Sequence, residues 1–175
     1  MPDGTTFEVV RSAEDPKSDP SEMVFTAQPN GPAPPPHVHP RQREIFTCEE
    51  GDFELLVDGE WRVLPPGESL TVQPGQVHTY RNQGTQTAKV RTVHEPGLEF
   101  EEYIRDLHAT VVEHDIRKIG PGAATRMAEL WRRYEDTIQP GPLALKLAFG
   151  VLGRVGPVLG LRSSRASAAR TDQAA

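Results

Sequence analysis

The chain has 175 residues, enough for one domain with its own core, or one domain with an appendage. Hydrophobic residues make up 36% and charged residues 25%, which excludes disorder throughout, and a net charge of −6 argues against a general nucleic-acid role. The single cysteine, Cys48, excludes an intrachain disulfide and, with no charged-then-apolar leader, makes the cytosol the expected compartment.

Phe7 to Val10 reads as an edge strand and Met23 to Gln28 as a better one. The Pro-rich run from Pro29 to Pro36 has too few backbone donors for a central strand and is expected to be an extended connector. Strands follow over Glu44 to Cys48, Asp52 to Val57, Glu60 to Leu64, Glu68 to Val72, Val77 to Arg81 and Gln86 to His94. Glycine-rich turns separate them, and Asp58-Gly59 is the strongest hairpin signal. Short strands at this spacing predict a mainly β sandwich or barrel over residues 1–98.

After Pro96 the period becomes helical. Phe100, Tyr103, Ile104 and Leu107 share one face, and Met127, Leu130, Trp131, Tyr134 and Ile138 share another, with Pro140-Gly141-Pro142 as the expected stop. Leu143 to Val155 reads as a third helix. The helical extension is assigned to 99–162 and a frayed tail to 163–175. Charge divides with it: there are 14 basic and 24 acidic residues up to Ile138, then five basic and one acidic. The apolar run 143–161 carries Lys146, Gly150, Gly153, Arg154 and Pro157 on one narrow face. Its broad apolar face is expected to pack on the barrel or a partner subunit, with contact to a membrane surface as the alternative.

Four groups carry chemistry together. His37 and His39, at i and i+2, point to one face of a strand. Glu44 opens the next strand on the same face as Phe46 and Cys48, and His78 comes from a distant strand and shares its face with Tyr80. Imidazoles with one carboxylate suit a divalent transition metal: Fe, Mn, Ni, Cu or Zn.

The spacing of these residues resembles the cupin superfamily. Gly31, five residues, His37-Val38-His39, four residues, Glu44, six residues and Gly51 match the first cupin motif. Gly67, Pro74-Gly75, His78 and Asn82 follow the second, except that the family's proline falls where this chain has Gln73. The resemblance covers about residues 23–95. It implies a double-stranded β-helix (jelly-roll) barrel with C-terminal helices added, His37, His39, Glu44 and His78 as metal ligands, and often a homodimer. Gly51, Gly67 and Gly75 are expected at positive φ.

Phe46, Cys48, Phe25, Trp61 and Met23 are the expected pocket walls, and Tyr80, two residues from a ligand, is the candidate for proton transfer. Arg41 and Arg43 are expected to be solvated; His94, His108 and His114 lie outside the motifs and are expected in ordinary surface or core roles. The walls suit a small hydrophobic or aromatic substrate. Three readings of function stand open: a metal-dependent dioxygenase, a non-redox cyclase, isomerase or decarboxylase, and a non-catalytic ligand-binding module.

Overall fold

The structure, a computed structural model, describes residues 4–116 and 120–166, without the side chains of 143–145. The strands are β1 (Phe7–Arg11), β2 (Ser21–Ala27), β3 (His37–Val38), β4 (Arg43–Glu50), β5 (Glu54–Val57), β6 (Glu60–Val63), β7 (Ser69–Val72), β8 (His78–Arg81), β9 (Ala88–Glu95) and β10 (Gln139–Pro140). They form two five-stranded sheets, β1-β2-β9-β4-β7 and β10-β3-β8-β5-β6, with every pairing antiparallel. The mainly β barrel expected from the sequence is present.

Strict alternation builds its core. On β4 the side chains of Glu44, Phe46 and Cys48 are buried, and on β9 those of Ala88, Val90, Thr92 and His94. The intervening residues face outward, where Arg91 pairs with Glu49 and Glu22 across neighbouring strands. Phe46, Phe53, Leu55, Val72 and Val90 pack together in the barrel interior. The turn chemistry matches its sequence. Asp58 and Gly59 both have positive φ, as a tight hairpin turn requires. Gly51 has φ +82°, and a Cβ there would lie 2.6 Å from the Thr87 carbonyl oxygen; Gly67 and Gly75 are also at positive φ. Asn82 of the second motif is a structural pin. Its amide donates to the carbonyls of Ala27 (2.9 Å) and Gln86 (2.7 Å), and its oxygen accepts from Gly84 N (2.9 Å).

Three helices follow: α1 (Phe100–Glu113), α2 (Pro121–Arg133) and α3 (Leu143–Val155). They build a second core from Phe100, Tyr103, Ile104, Leu130, Trp131, Tyr134 and Ile138, together with Met23 from β2. Met23 joins that core to the barrel.

Three expectations are corrected here. The second helix ends at Arg133 and does not run to Ile138. Ile138 still enters the core, but the chain there has turned so that β10 can pair with β3, Gln139 opposite Val38 and Pro140 opposite His37. Helical spacing cannot foresee a strand that completes a sheet edge contributed about 100 residues earlier. Among the described side chains, α3 does not lay its broad apolar face on the barrel of its own chain. It packs on α2 through small residues: a Cβ at Gly153 would stand 2.6 Å from the Ala128 carbonyl oxygen, and one at Gly156 would stand 2.3 Å from Thr125 Cγ2. Close approach of two helices favours the side without bulk, so Leu147, Val151 and Val155 are left exposed in this chain. Among the described residues no helix is long and apolar enough to cross a membrane.

The described start of the expected tail, 163–166, is bound rather than frayed. Ser163 N donates to Glu129 Oε2 (3.0 Å), Ser164 N to Thr110 Oγ1 (2.9 Å) and Ala166 N to Asp106 Oδ1 (2.7 Å). Arg133 ties the same carboxylates together, at 2.6 Å from Asp106 and 3.2 Å from Glu129. Buried acids of this kind need such partners, and the tail backbone supplies part of them. The rest of the expected tail, 167–175, lies outside the described residues.

Candidate metal centre

His37, His39, Glu44 and His78 converge. Each offers one donor atom, these atoms all lie within 4.8 Å of one another, and all four residues are buried. Register explains the convergence: His37 sits opposite His78 in the β3–β8 pair, and Glu44 sits at the start of β4 in the facing sheet.

The second nitrogen of each ring decides what the first can do. His37 Nδ1 donates to the Pro35 carbonyl (2.9 Å), His39 Nδ1 to the Thr137 carbonyl (2.6 Å) and His78 Nδ1 to the Gln76 carbonyl (3.0 Å). A carbonyl oxygen only accepts, so each Nδ1 carries the proton and each Nε2 presents a lone pair. Glu44 Oε2 lies 3.2 Å from His39 Nε2 and 3.0 Å from His78 Nε2. These three buried atoms have no hydrogen-bond partner. Lone pairs of a carboxylate and two imidazoles meet without a proton between them, an arrangement that a cation would stabilise.

Charge agrees with that reading. Burial, with His78 and His39 beside it, holds His37 well below the ordinary histidine value, so its ring is neutral near pH 7. Burial works to raise Glu44, but His94, His39 and His78 together hold its carboxyl well below the usual range. Burial works to lower His78, but the Glu44 carboxylate raises it above the ordinary value, so a proton competes with an ion for that nitrogen in acid. Three imidazoles and one carboxylate fit a divalent ion of intermediate softness.

His94 is the residue the motif reading missed. It is fully buried, its Nε2 lies 3.1 Å from Glu44 Oε1, and its ring stacks on Phe100 at 3.5 Å. The signal was present in the even spacing along β9 that turns His94 inward with Thr92, but the partner across the sheet depends on register. Thr137 was missed too, because it acts through its backbone from the helical extension.

The centre opens into a cavity of about 750 Å³ lined by Met23, Phe25, Phe46 and Tyr80 from the barrel, as expected, and by residues of all three helices. Tyr80 packs against Phe25 (4.9 Å) and Phe53 (5.4 Å). Two expected walls are not there. Cys48 points inward but lies four residues along β4 from Glu44, about 13 Å at strand rise, and is packed in the barrel core without lining the cavity. Trp61 is 40% exposed on β6, an edge strand; it pairs with outward-facing Leu56, and Arg81 covers its ring at 3.7 Å. Arg41 and Arg43 face outward, paired with Asp136 and Glu95. His108 is exposed, and His114 lies near Ser164.

Residues 23–94 match the family model described as Cupin domain. Quercetin 2,3-dioxygenase from Bacillus subtilis (strain 168) is 35% identical over 85 residues, 49% of this chain but only 25% of that protein. The chain therefore spans about a quarter of that relative's length. Among solved structures, a protein from Thermus thermophilus has a TM-score of 0.49 at 24% identity, covering 55% of this chain and 87% of the other. A cupin 2 conserved barrel domain protein from Salinispora arenicola CNS-205 has a TM-score of 0.45 at 19% identity, covering 53% and 76%.

Proposed function

We propose, from the match of residues 23–94 to the cupin domain family, that the protein is a metal-dependent dioxygenase acting on a small hydrophobic organic molecule. The observation that carries the reading is the meeting of His39 Nε2, His78 Nε2 and Glu44 Oε2, all unpartnered, beside an apolar cavity. The match to a quercetin dioxygenase supports oxygen chemistry over the barrel; its substrate is not carried over with it.

His37, His39, Glu44 and His78 would hold the ion, and we assign iron. A bound iron supplies a Lewis-acidic, redox-active centre at which an organic substrate and dioxygen can react. The protein's own part is positional. The carbonyls of Pro35, Thr137 and Gln76 fix the three rings. The walls at Phe25, Phe46 and Phe100 exclude water and align an apolar substrate. Tyr80 lines the same cavity and is the residue we assign to moving a proton on the substrate.

The test is metal analysis of the purified protein, followed by oxygen uptake with the iron-loaded protein across hydrophobic and aromatic candidate substrates. Uptake stoichiometric with product supports the reading. Turnover that continues without oxygen replaces it with a non-redox cyclase, isomerase or decarboxylase, and failure to retain any divalent metal removes it.

A further inference from the structure

The cavity beside the metal centre continues beyond the cupin barrel. It runs without interruption from His37, His39 and Glu44 into a space walled by the helical extension. Leu107 and Val111 of α1, Ala124, Met127 and Trp131 of α2 and Phe149 of α3 line that far part. Phe100, at the start of α1, stacks on His94 beside the centre. Val111 lies three helical turns further on, about 16 Å along the axis. A single aromatic ring held at the centre does not reach it.

The chemistry of the two ends differs sharply. All the ionisable imidazole and carboxylate groups of the described lining stand at the centre. No described lining residue is a lysine or an arginine, and beyond the barrel the described lining side chains with a polar group are Trp131 and Tyr103. The Tyr103 hydroxyl already accepts from Trp131 Nε1 at 3.0 Å, and burial pushes its pKa up to about 12, so it offers no charge. A second polar or charged group on a ligand would be desolvated there without a partner.

We propose that the helical extension is a binding annex for an apolar tail. The ligand is then an amphiphile with one polar head at the metal centre and an extended hydrocarbon portion that runs between α1 and α2 among Leu107, Val111, Ala124 and Met127. This deepens the oxygenase reading by naming the substrate class, although tail binding itself needs no metal. It also accounts for why α1 and α2 face the barrel mouth with aliphatic and small side chains, leaving the space open. Filling that space with ligand rather than with protein side chains makes the annex dependent on ligand length.

The test uses the full chain, the neutral fluorophore N-phenyl-1-naphthylamine bound in the cavity, and displacement by the straight-chain primary alcohols from hexanol to dodecanol. Each added methylene buried in the annex should tighten binding about three- to fourfold. Ala124→Trp and Leu107→Trp fill the annex from opposite walls. Either variant that keeps its circular dichroism spectrum should bind hexanol like the wild type and lose the gain for longer alcohols. His78→Gln, which disables the centre, should keep the wild-type slope, so failure of the metal reading is visible apart from failure of this one. A flat wild-type slope overturns the annex even if neither tryptophan variant folds, and so does an unchanged slope in a folded Ala124→Trp or Leu107→Trp protein.

Discussion

His94 Nε2 stands 3.1 Å from one oxygen of Glu44, while the other oxygen of that carboxylate faces His39 and His78. The two residues are directly opposite in the β4–β9 ladder. Glu44 thus has the candidate metal-binding imidazoles beside one oxygen and the His94 ring beside the other. Such outer partners fix the angle at which a carboxylate is presented. The His94→Phe variant keeps a ring against Phe100 and removes the nitrogen. Metal affinity in a competitive chelator titration should fall about 10- to 100-fold with the thermal midpoint of the metal-free protein little changed. An unaltered affinity would make His94 a packing residue only.

Tyr80 gives a second expectation. If it transfers a proton on the substrate, Tyr80→Phe should lower turnover by about 100-fold or more while metal content stays at the wild-type level. Equal loss of metal and turnover would point to a structural role, since the ring also packs on Phe25 and Phe53.

The α2–α3 contact is built on absence of side chain. Gly153→Ala places a methyl 2.6 Å from the Ala128 carbonyl oxygen, where the neighbour is backbone and can yield only by moving a helix. The change should cost about 1–3 kcal/mol in urea unfolding. Val151→Ala, on the exposed face of the same helix, should stay within about 0.5 kcal/mol. Similar costs for both would contradict the packing described.

Acid should release the tail. Burial works to raise Glu129, but the Ser163 hydroxyl and amide and the Arg133 guanidinium hold its carboxyl below the usual value. A lowered folded-state pKa means the folded chain binds fewer protons than the unfolded one. The stabilisation is therefore complete above the unfolded value of about 4.3 and is lost as pH falls through the folded value. The urea midpoint of the wild type should exceed that of Glu129→Gln at neutral pH, and the gap should close as pH falls below about 4. A gap that persists unchanged in acid would rule out the carboxylate as its source.

Much of the barrel was legible because its rules are local. Alternation with period two turns His37, His39, Glu44, Phe46 and His78 inward, and Asp58-Gly59 makes its turn by backbone preference alone. The four donors followed from motif spacing, which fixes which residues lie on which strand. The same alternation says nothing of depth along a strand or of where an edge lies, which is why Cys48 and Trp61 were misplaced. His94 faces Glu44 through one register, and Thr137 reaches His39 only because β10 pairs with β3. Those contacts, the glycine face of α3 and the annex under the helices are decided by how distant segments meet in space. Pairing register and helix packing depend on the whole set of competing contacts, and no local pattern of residues encodes them.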